Sequence, residues 1–567
     1  MDFFYQSLEP APIYSQYSPM NERVNGGWVG FPGRHFNISL LYAILHPVRD
    51  FQLPSDLRGL HIHFVGIKGT GMAALTEILC QRGARITGSD VADTFYTDQV
   101  LAACGITASL FDEANITDDL LCIIYSSAYN EDTNCELSEA RRRGVPCLLY
   151  SQALGQLSAH AYSCGIAGVH GKTTTTGLTG TILQQFDLPV QVLAGSLISS
   201  FGGASNSSCS GEPAGSERQG GSEGQDGSGG QGSCTLSQGT DFFVAETCEY
   251  QRHFMDFHPQ KIILTSVESD HQDFFPTYKD ILSAFVDYIC LLPENGQLIY
   301  CADDAGACEA AALATERRAD IQLLPYGETA EGDYKVGFGA VEAGCQYFYL
   351  AGFGDHAFRL EVPGRHLVLN AAAAIALSVE LLKVQESSLA KGASALAQKL
   401  ASGLATFRGG KRRSELVGRK DKLVILDDYA HHPTAIKTTL EGYRAFYPGY
   451  KLVVDFMSHT YTRTAALLEE FASSFGAADQ VILHKIYGSA RENASASGVD
   501  GTTLYQATRK CHSNVRYYEE IMEAADDLER ELAEGDAGFP NGIVFVTMGA
   551  GDNWKLGREL WRRLGNE

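Results

Sequence analysis

The chain has no C-x-x-C pair among its 14 cysteines, no run of 18 apolar residues, and no surplus of positive charge. Each absence excludes a class. Scattered cysteines without ligand spacing argue against a zinc site or a disulfide framework. Cys80, Cys122, Cys248 and Cys290 lie in apolar or mixed stretches and read as small buried hydrophobes in a reducing compartment. Without a long apolar run, no membrane insertion is expected. The 44 basic residues against 68 acidic ones give a net charge of −24. Such a surface repels phosphate polymers and anionic lipid, so no nucleic-acid partner is expected. The N-terminus has no basic segment leading into an apolar one, so no secretion signal is read and a cytoplasmic location is the expectation.

One stretch lacks apolar residues altogether. From Gly202 to Thr235 there is no Leu, Ile, Val, Met, Phe, Tyr or Trp. Such a segment cannot bury enough apolar area to offset its ordering entropy, and residues 202–240 are expected to form a disordered surface insertion. Residues 1–59, rich in Pro, Asn, Tyr and Ser, read as an N-terminal extension of unknown order.

What is present is a repeated alternation of apolar strands and helical stretches. At 567 residues a length of roughly 100–200 residues per domain gives several units. "LHIHFVGI", "ARITGSD", "LLCIIYSSA" and "VPCLLY" read as buried strands of a first unit over 60–157. A second, over 158–410, contains "SCGIAGVHGKTTTT", "DFFVAE" and "KIILTSVESDH". A third, over 411–567, contains "KLVILDDYAHHP", "KLVVDFMSHTYTRT", "QVILHKIYGSARE" and "GIVFVTMGAGDN". Strands alternating with helices predict parallel sheets, hence an α/β fold of three consecutive domains. Open α/β sheets hold ligands where strands end in polar or glycine-rich turns.

Two such turns carry phosphate chemistry. In "VGIKGTGM", Gly66, Gly69 and Gly71 lie between a strand and a helix, with Ser89 and Asp90 at the end of the next strand. Small residues there let the backbone approach a pyrophosphate, and Asp90 is placed to reach a ribose hydroxyl. A nicotinamide cofactor or a purely structural tight turn would each account for this loop alone. In the second turn, Gly171-Lys172-Thr173 opens a helix. A lysine there suits the β- and γ-phosphates, a threonine hydroxyl suits Mg²⁺, and loop amides suit the remaining oxygens. Glu246 and Asp270-His271, at two later strand ends, offer a carboxylate and an imidazole for metal ions.

Taken together, "HFVGIKGTGM", "GSD", "GVHGKTTTT", "VAETCEYQRHF", "ESDHQDFF", "DDYAHHPT", "HTYTRT" and "TMGAGD" resemble, in this order, the motifs of the Mur ligases of peptidoglycan synthesis. The likeness covers about residues 60–567 apart from the insertion. It implies a Rossmann-like domain for the UDP of a nucleotide sugar, a central P-loop ATPase-type domain, and a Rossmann-like C-terminal domain that brings the amino acid. The implied reaction uses ATP and Mg²⁺ to activate the carboxylate of UDP-N-acetylmuramate as an acyl phosphate, which L-alanine then attacks. By the match, Gly66, Gly69, Gly71, Met72, Ser89 and Asp90 would hold the UDP-sugar. Gly168, Val169, His170, Gly171, Lys172, Thr173, Thr174 and Asn370 would hold ATP. Thr173, Glu246 and His271 would hold metal, and Lys172, His271, Arg412 and Asp428 would serve catalysis, with Arg413 an alternative to Arg412. Tyr429, His431, His459 and Arg463 would line the amino-acid side. Leu367 and Thr460 depart from the family pattern, which usually has Asn and often Arg there. A ligase for a recycled cell-wall tripeptide shares the HGKTTT and DDYAHHP motifs; "EYQRHF" and "GIKGTGM" favour the alanine branch. A nicotinamide dehydrogenase would leave Lys172 and Glu246 unexplained, and the intact Lys172, Glu246 and His271 argue against a non-catalytic nucleotide-sugar sensor.

Overall fold

The computed structural model describes residues 51–201, 232–342, 344–386, 393–488 and 498–565. The first sheet contains β1 (His61–Val65), β2 (Arg85–Ser89), β3 (Leu120–Tyr125) and β4 (Cys147–Leu149), all parallel in the order β2-β1-β3-β4. Segments such as HIHFV and LCII are buried along their length, the pattern of strands covered on both faces. Residues 52–59, the end of the extension read as of unknown order, pack into this body. Leu53 and Leu57 are buried, and the Leu53 amide donates to Gln156 Oε1 at 2.7 Å. The rest of that extension, 1–50, lies outside the described residues.

The central sheet contains β5 (Tyr162–Ala167), β6 (Val190–Ile198), β7 (Ser233–Ser237), β8 (Phe242–Glu246), β9 (Lys261–Leu264), β10 (Gln297–Cys301) and β11 (Gln322–Tyr326), in the order β11-β10-β9-β5-β8-β6-β7. All pairs are parallel except β6–β7. The strand β7 corrects the reading of 202–240: Cys234 and Leu236 are buried and residues 233–237 close the sheet's edge. A polar pentapeptide becomes a strand because β6 supplies a ladder for it. The expected disorder of 202–231 falls outside the described residues. A small antiparallel sheet of β12 (Val336–Glu342), β13 (Cys345–Leu350) and β14 (Phe358–Leu360), which the motif reading did not anticipate, packs into the same core. The helix Arg365–Val384 is long and apolar enough to cross a bilayer, but 78% of its apolar window is buried against this core.

The third sheet, β15 (Glu415–Lys420), β16 (Leu423–Asp428), β17 (Lys451–Met457), β18 (Gln480–Leu483), β19 (Val515–Tyr517) and β20 (Ile543–Gly549), runs β15-β16-β20-β17-β18-β19, with β15 antiparallel. The first two sheets are coupled by the helix Tyr150–Ser158. Its Ser151 hydroxyl donates to Asp256 Oδ2 at 2.6 Å, and a Cβ on Gly155 would stand 2.2 Å from the Asp256 carbonyl oxygen. Only hydrogen fits there. Gly155→Val is expected to destabilise by at least the ~1–3 kcal/mol typical of overpacking. Urea unfolding checks this; wild-type stability would show that the helix is free to move off Asp256.

Candidate active site

Three neighbouring strand ends of the central sheet converge. β5 runs into residues 168–171, β8 ends in Glu246, and β9 runs into residues 265–271. Strands β8 and β9 flank β5 on opposite sides, so this is the crevice where a parallel sheet holds its ligand. The loop after β5 is tight. Gly168 has φ +131° and a Cβ there would meet Thr265 Oγ1 at 2.1 Å; Gly171 has φ +82° and faces Asn370 Oδ1. The Ser266 hydroxyl accepts from the His170 amide at 3.0 Å, and the Val169 amide donates to the Ser266 carbonyl. The helix Lys172–Leu183 follows, with Thr173 and Thr174 buried in its first turn.

Lys172 folds back over this loop. Its Nζ donates to the Gly168 carbonyl at 2.5 Å and to the two Glu249 oxygens at 2.9 and 3.1 Å. The Glu249 side chain is buried and that of Lys172 is only slightly exposed. Burial alone would lower the lysine's pKa, but Glu249 and the nearby Glu246 more than offset it and the net shift is upward. Burial likewise pushes Glu249 up, and Lys172 and His271 bring it below its ordinary value. Both groups are therefore ionised at neutral pH. Sequence reading missed Glu249. Its signal was present as a second carboxylate three residues after Glu246, but the turn that aims it is unusual: Gln251 and Arg252 both have left-handed backbone, φ 51° and 60°. Such conformations cost on the order of 1–3 kcal/mol each and gather at functional sites.

Beside this pair, the Thr173 hydroxyl donates to Glu246 Oε2 at 2.8 Å, which also accepts from the Gly195 amide at 2.9 Å. Two hard oxygens at this separation match neighbouring ligands of a small divalent cation. His271, itself left-handed at φ 54°, sets Nε2 3.4 Å from Glu249 Oε1 and 3.8 Å from Asp270 Oδ2. A cavity of about 180 Å³ opens from Glu246 and Gly195 past Cys248, His253 and Tyr150 to Gly71 of the first glycine loop. Cys248 is exposed to it, so it is not the buried hydrophobe expected.

In the first loop Gly66 has φ +81°, and its Cβ would stand 2.7 Å from the Tyr129 ring. Gly69 is different: a Cβ would meet protein atoms only at 3.5 Å. It caps the helix Thr70–Gln81, whose first amides have no intrahelical acceptor. Three residues expected at a ligand here do structural work. Asp90 is 5% exposed and accepts from the Lys68 amide at 2.7 Å and the Val91 amide at 2.8 Å; it fastens the loop in place of reaching outward. Buried Ser89 donates to Glu136. The Met72 side chain is in the core, leaving only its backbone at the loop.

The third sheet brings its strand ends to the same place. Asp270 Oδ1 accepts from Arg463 Nη2 at 2.9 Å and Nε at 3.2 Å, between side chains buried on opposite sides of the junction. Burial raises the Asp270 pKa, but Arg463 and two histidines lower it further, well below the carboxylate range. Arg463, expected to line the amino-acid side, thus clasps the central sheet to the third. Thr460 caps the helix Tyr461–Ala466 by accepting from the Arg463 amide. Arg412 is also committed, its Nε to Asp427 at 3.1 Å and its Nη2 to the Gly549 carbonyl at 2.6 Å. Both arginines lie over the Tyr429 ring, Arg412 at 5.3 Å and Arg413 at 4.9 Å; Arg412 is the one whose guanidinium is also held by Asp427 and Gly549. Asp428 accepts from the Ser414 amide at 2.7 Å and the Ala430 amide at 2.8 Å, so it braces the junction. His431 Nδ1 donates to the Tyr429 carbonyl at 2.8 Å. Burial and then Arg463 push its pKa well below the ordinary histidine value, leaving a neutral ring with Nε2 as acceptor. The His459 ring lies 5.8 Å from the Tyr487 ring, tilted by 31°, and its carbonyl accepts from Arg463. Asn370 sits against Gly171, while Leu367 is in the central core.

The comparisons with known proteins agree with this geometry. Residues 61–162 match the model of the Mur ligase family catalytic domain, 166–378 the Mur ligase middle domain, and 412–551 the Mur ligase glutamate ligase domain. A UDP-N-acetylmuramate–L-alanine ligase of Treponema pallidum (strain Nichols) is 47% identical over 516 residues, 91% of this chain and 99% of that protein. One from Desulfitobacterium hafniense (strain Y51) is 35% identical, over 88% and 99%. Among solved structures, a UDP-N-acetylmuramate-alanine ligase of Thermotoga maritima superposes with TM-score 0.65 at 22% identity, covering 89% of this chain and 99% of that one. A murein peptide ligase of Psychrobacter arcticus does so at 0.55 and 20%, covering 90% and 99%; these two speak to the fold.

Removing one partner of a buried ion pair typically costs about 3–5 kcal/mol, and Glu249→Gln is expected to lose about that much. Combining it with Lys172→Met should lose less than the sum of the single changes, because no unpaired charge is left behind. Urea unfolding of the four proteins checks this. Strictly additive losses would show that the two groups are not coupled.

Proposed function

Since the chain belongs to the Mur ligase family, we propose that it joins L-alanine to the carboxylate of UDP-N-acetylmuramate at the expense of ATP, in peptidoglycan precursor synthesis. The observation that carries this is the continuity of the cavity from the Gly71 loop to Glu246, together with 47% identity over nearly the full length of a ligase named for those substrates. The alternative, ligation of a recycled tripeptide, has the weaker support: the murein peptide ligase likeness is at 20% identity and speaks only to the fold.

In this reading the diphosphate rests on the free amides at the start of helix Thr70–Gln81, and the muramyl carboxylate reaches through the cavity toward Glu246. Lys172 is placed to neutralise charge on the transferring phosphoryl group, and most of phosphoryl-transfer catalysis is such positioning and electrostatics. ATP occupies the loop 168–173 and Asn370, with Arg413 at its phosphates. Mg²⁺ suits Thr173 with Glu246, and a second ion suits His271; when bound, Mg²⁺ would supply further neutralisation of the phosphate oxygens. The carboxylate oxygen attacks the γ-phosphorus, ADP leaves, and the alanine amine then attacks the acyl carbon. That amine must lose a proton, and neutral His431 has Nε2 to accept it. Phosphate departs with the carboxylate's own oxygen.

Two experiments test this. Phosphate release with ATP, Mg²⁺ and UDP-N-acetylmuramate should require L-alanine, and turnover with tripeptide but not alanine would reverse the assignment of the donor. At Gly69 an added Cβ would make only ordinary contacts with the protein, and Gly69→Val is expected to block a diphosphate. Calorimetry should show UDP-N-acetylmuramate binding lost with ATP binding retained; the opposite pattern would exchange the roles of the two loops.

A further inference from the structure

A second cluster crosses the junction between the central and third sheets; His170 lies in the loop read as holding ATP, but the ligase chemistry above uses neither Glu268 nor His432. His170 and Glu268 come from the central side, and His432 comes from the turn after β16. One ligand atom from each lies within 4.8 Å of the others. His432 Nδ1 is 3.6 Å from Glu268 Oε1, and His170 Nε2 abuts the same oxygen. The two imidazole ring centroids are 5.1 Å apart, with the rings tilted by 46°. His432 is 5% exposed, and both of its ring nitrogens are buried without a hydrogen-bond partner. An unpartnered buried imidazole costs free energy unless something binds it.

The arrangement is that of a built site. The other Glu268 oxygen, Oε2, accepts from the Thr434 hydroxyl at 2.9 Å, which orients the carboxylate and leaves Oε1 turned to the two rings. This is the outer-sphere support that metal-ligating carboxylates carry. Ligand atoms around a four-coordinate cation with bonds of about 2.0–2.2 Å stand about 3.4 Å apart, close to the 3.6 Å between His432 and Glu268. Two imidazoles with one carboxylate suit a borderline first-row cation of the zinc type, in contrast to the oxygen pair Thr173 and Glu246, which suits Mg²⁺. Burial lowers the His432 pKa, and a neutral ring is the form that ligates.

We propose that His170, Glu268 and His432 form a binding site for a zinc-class divalent cation that staples the phosphate-loop side of the protein to its third sheet. The ion would be distinct from the Mg²⁺ of the ATP site. It would hold His170, which precedes Gly171-Lys172, and so fix the phosphate loop against the third sheet.

The test is titration of the full-length protein with Co²⁺ in excess Mg²⁺, following the visible d–d absorption of four-coordinate cobalt. One equivalent should bind without a thiolate charge-transfer band. Glu246→Gln, which removes the Mg²⁺ carboxylate, should keep the signal. His432→Ala should abolish it, and Thr434→Val, a mild change at an exposed side chain, should weaken cobalt binding about 10–100-fold. Zn²⁺ should displace the cobalt and raise the melting temperature of wild type but not of His432→Ala. No band in wild type would overturn the proposal. So would a band unaffected by both His432→Ala and Thr434→Val, one lost in Glu246→Gln, or one of thiolate character.

Discussion

A single buried charge organises the centre of this protein. Lys172 sits at the mouth of a glycine loop, largely shielded from water, and Glu249 keeps it ionised there. A cation is useful to a phosphoryl group only if it is already desolvated and held in place, and the pair achieves both. The remaining features can be traced to it. The two left-handed residues after Glu249 bend the chain so that this carboxylate reaches the lysine. Glu249 also faces His271, which ties the end of β8 to the end of β9. Gly168 and Gly171 have no side chain because Thr265 and Asn370 occupy the space a Cβ would need.

Around that centre the protein is drawn together by polar contacts that cross from one sheet to the next. Asp270 and Arg463 clasp the central sheet to the third, and Thr434 donates to Glu268 alongside them. Both acidic partners come from the same short stretch after β9, so the ATP loop and the third sheet are coupled through one segment. On the other side, the helix Tyr150–Ser158 packs so closely on Asp256 that Gly155 cannot carry a side chain. One cavity then connects a diphosphate-type glycine loop with the Glu246 carboxylate. Activation of a distant carboxylate needs both ends of the substrate held at once, and these contacts supply that reach.

Much of this was legible in the sequence, for a physical reason. Strands covered on both faces are continuous apolar runs, so HIHFV, FFVAE, KLVILDD and IVFVTMG announce the parallel sheets and, at their ends, the ligand crevice. Where tertiary contacts decide, the reading went astray. Ser233–Ser237 has no strand-like composition and is extended because β6 offers it an edge. Leu53 and Leu57 look like part of a polar arm until they are seen to be buried. Carboxylates and arginines were hardest. Asp90, Asp428, Arg412 and Arg463 stand in ligand-like motifs, yet their hydrogen bonds run to neighbouring amides, to backbone carbonyls and to the Asp427 and Asp270 carboxylates. Glu249 and Arg413, less conspicuous in the chain, have the geometry to act. Sequence places a charged group at a strand end; only the fold says which way it turns.

The central claim is that Lys172 and its neighbours transfer the γ-phosphoryl group of ATP to a substrate carboxylate. The most direct measurement uses UDP-N-acetylmuramate labelled with ¹⁸O in that carboxylate, turned over with ATP and L-alanine, with the released phosphate read by mass spectrometry. An acyl phosphate requires one labelled oxygen to pass from carboxylate to phosphate in every turnover. Phosphate carrying one ¹⁸O is the expected result; unlabelled phosphate, with amide still formed, would contradict the account.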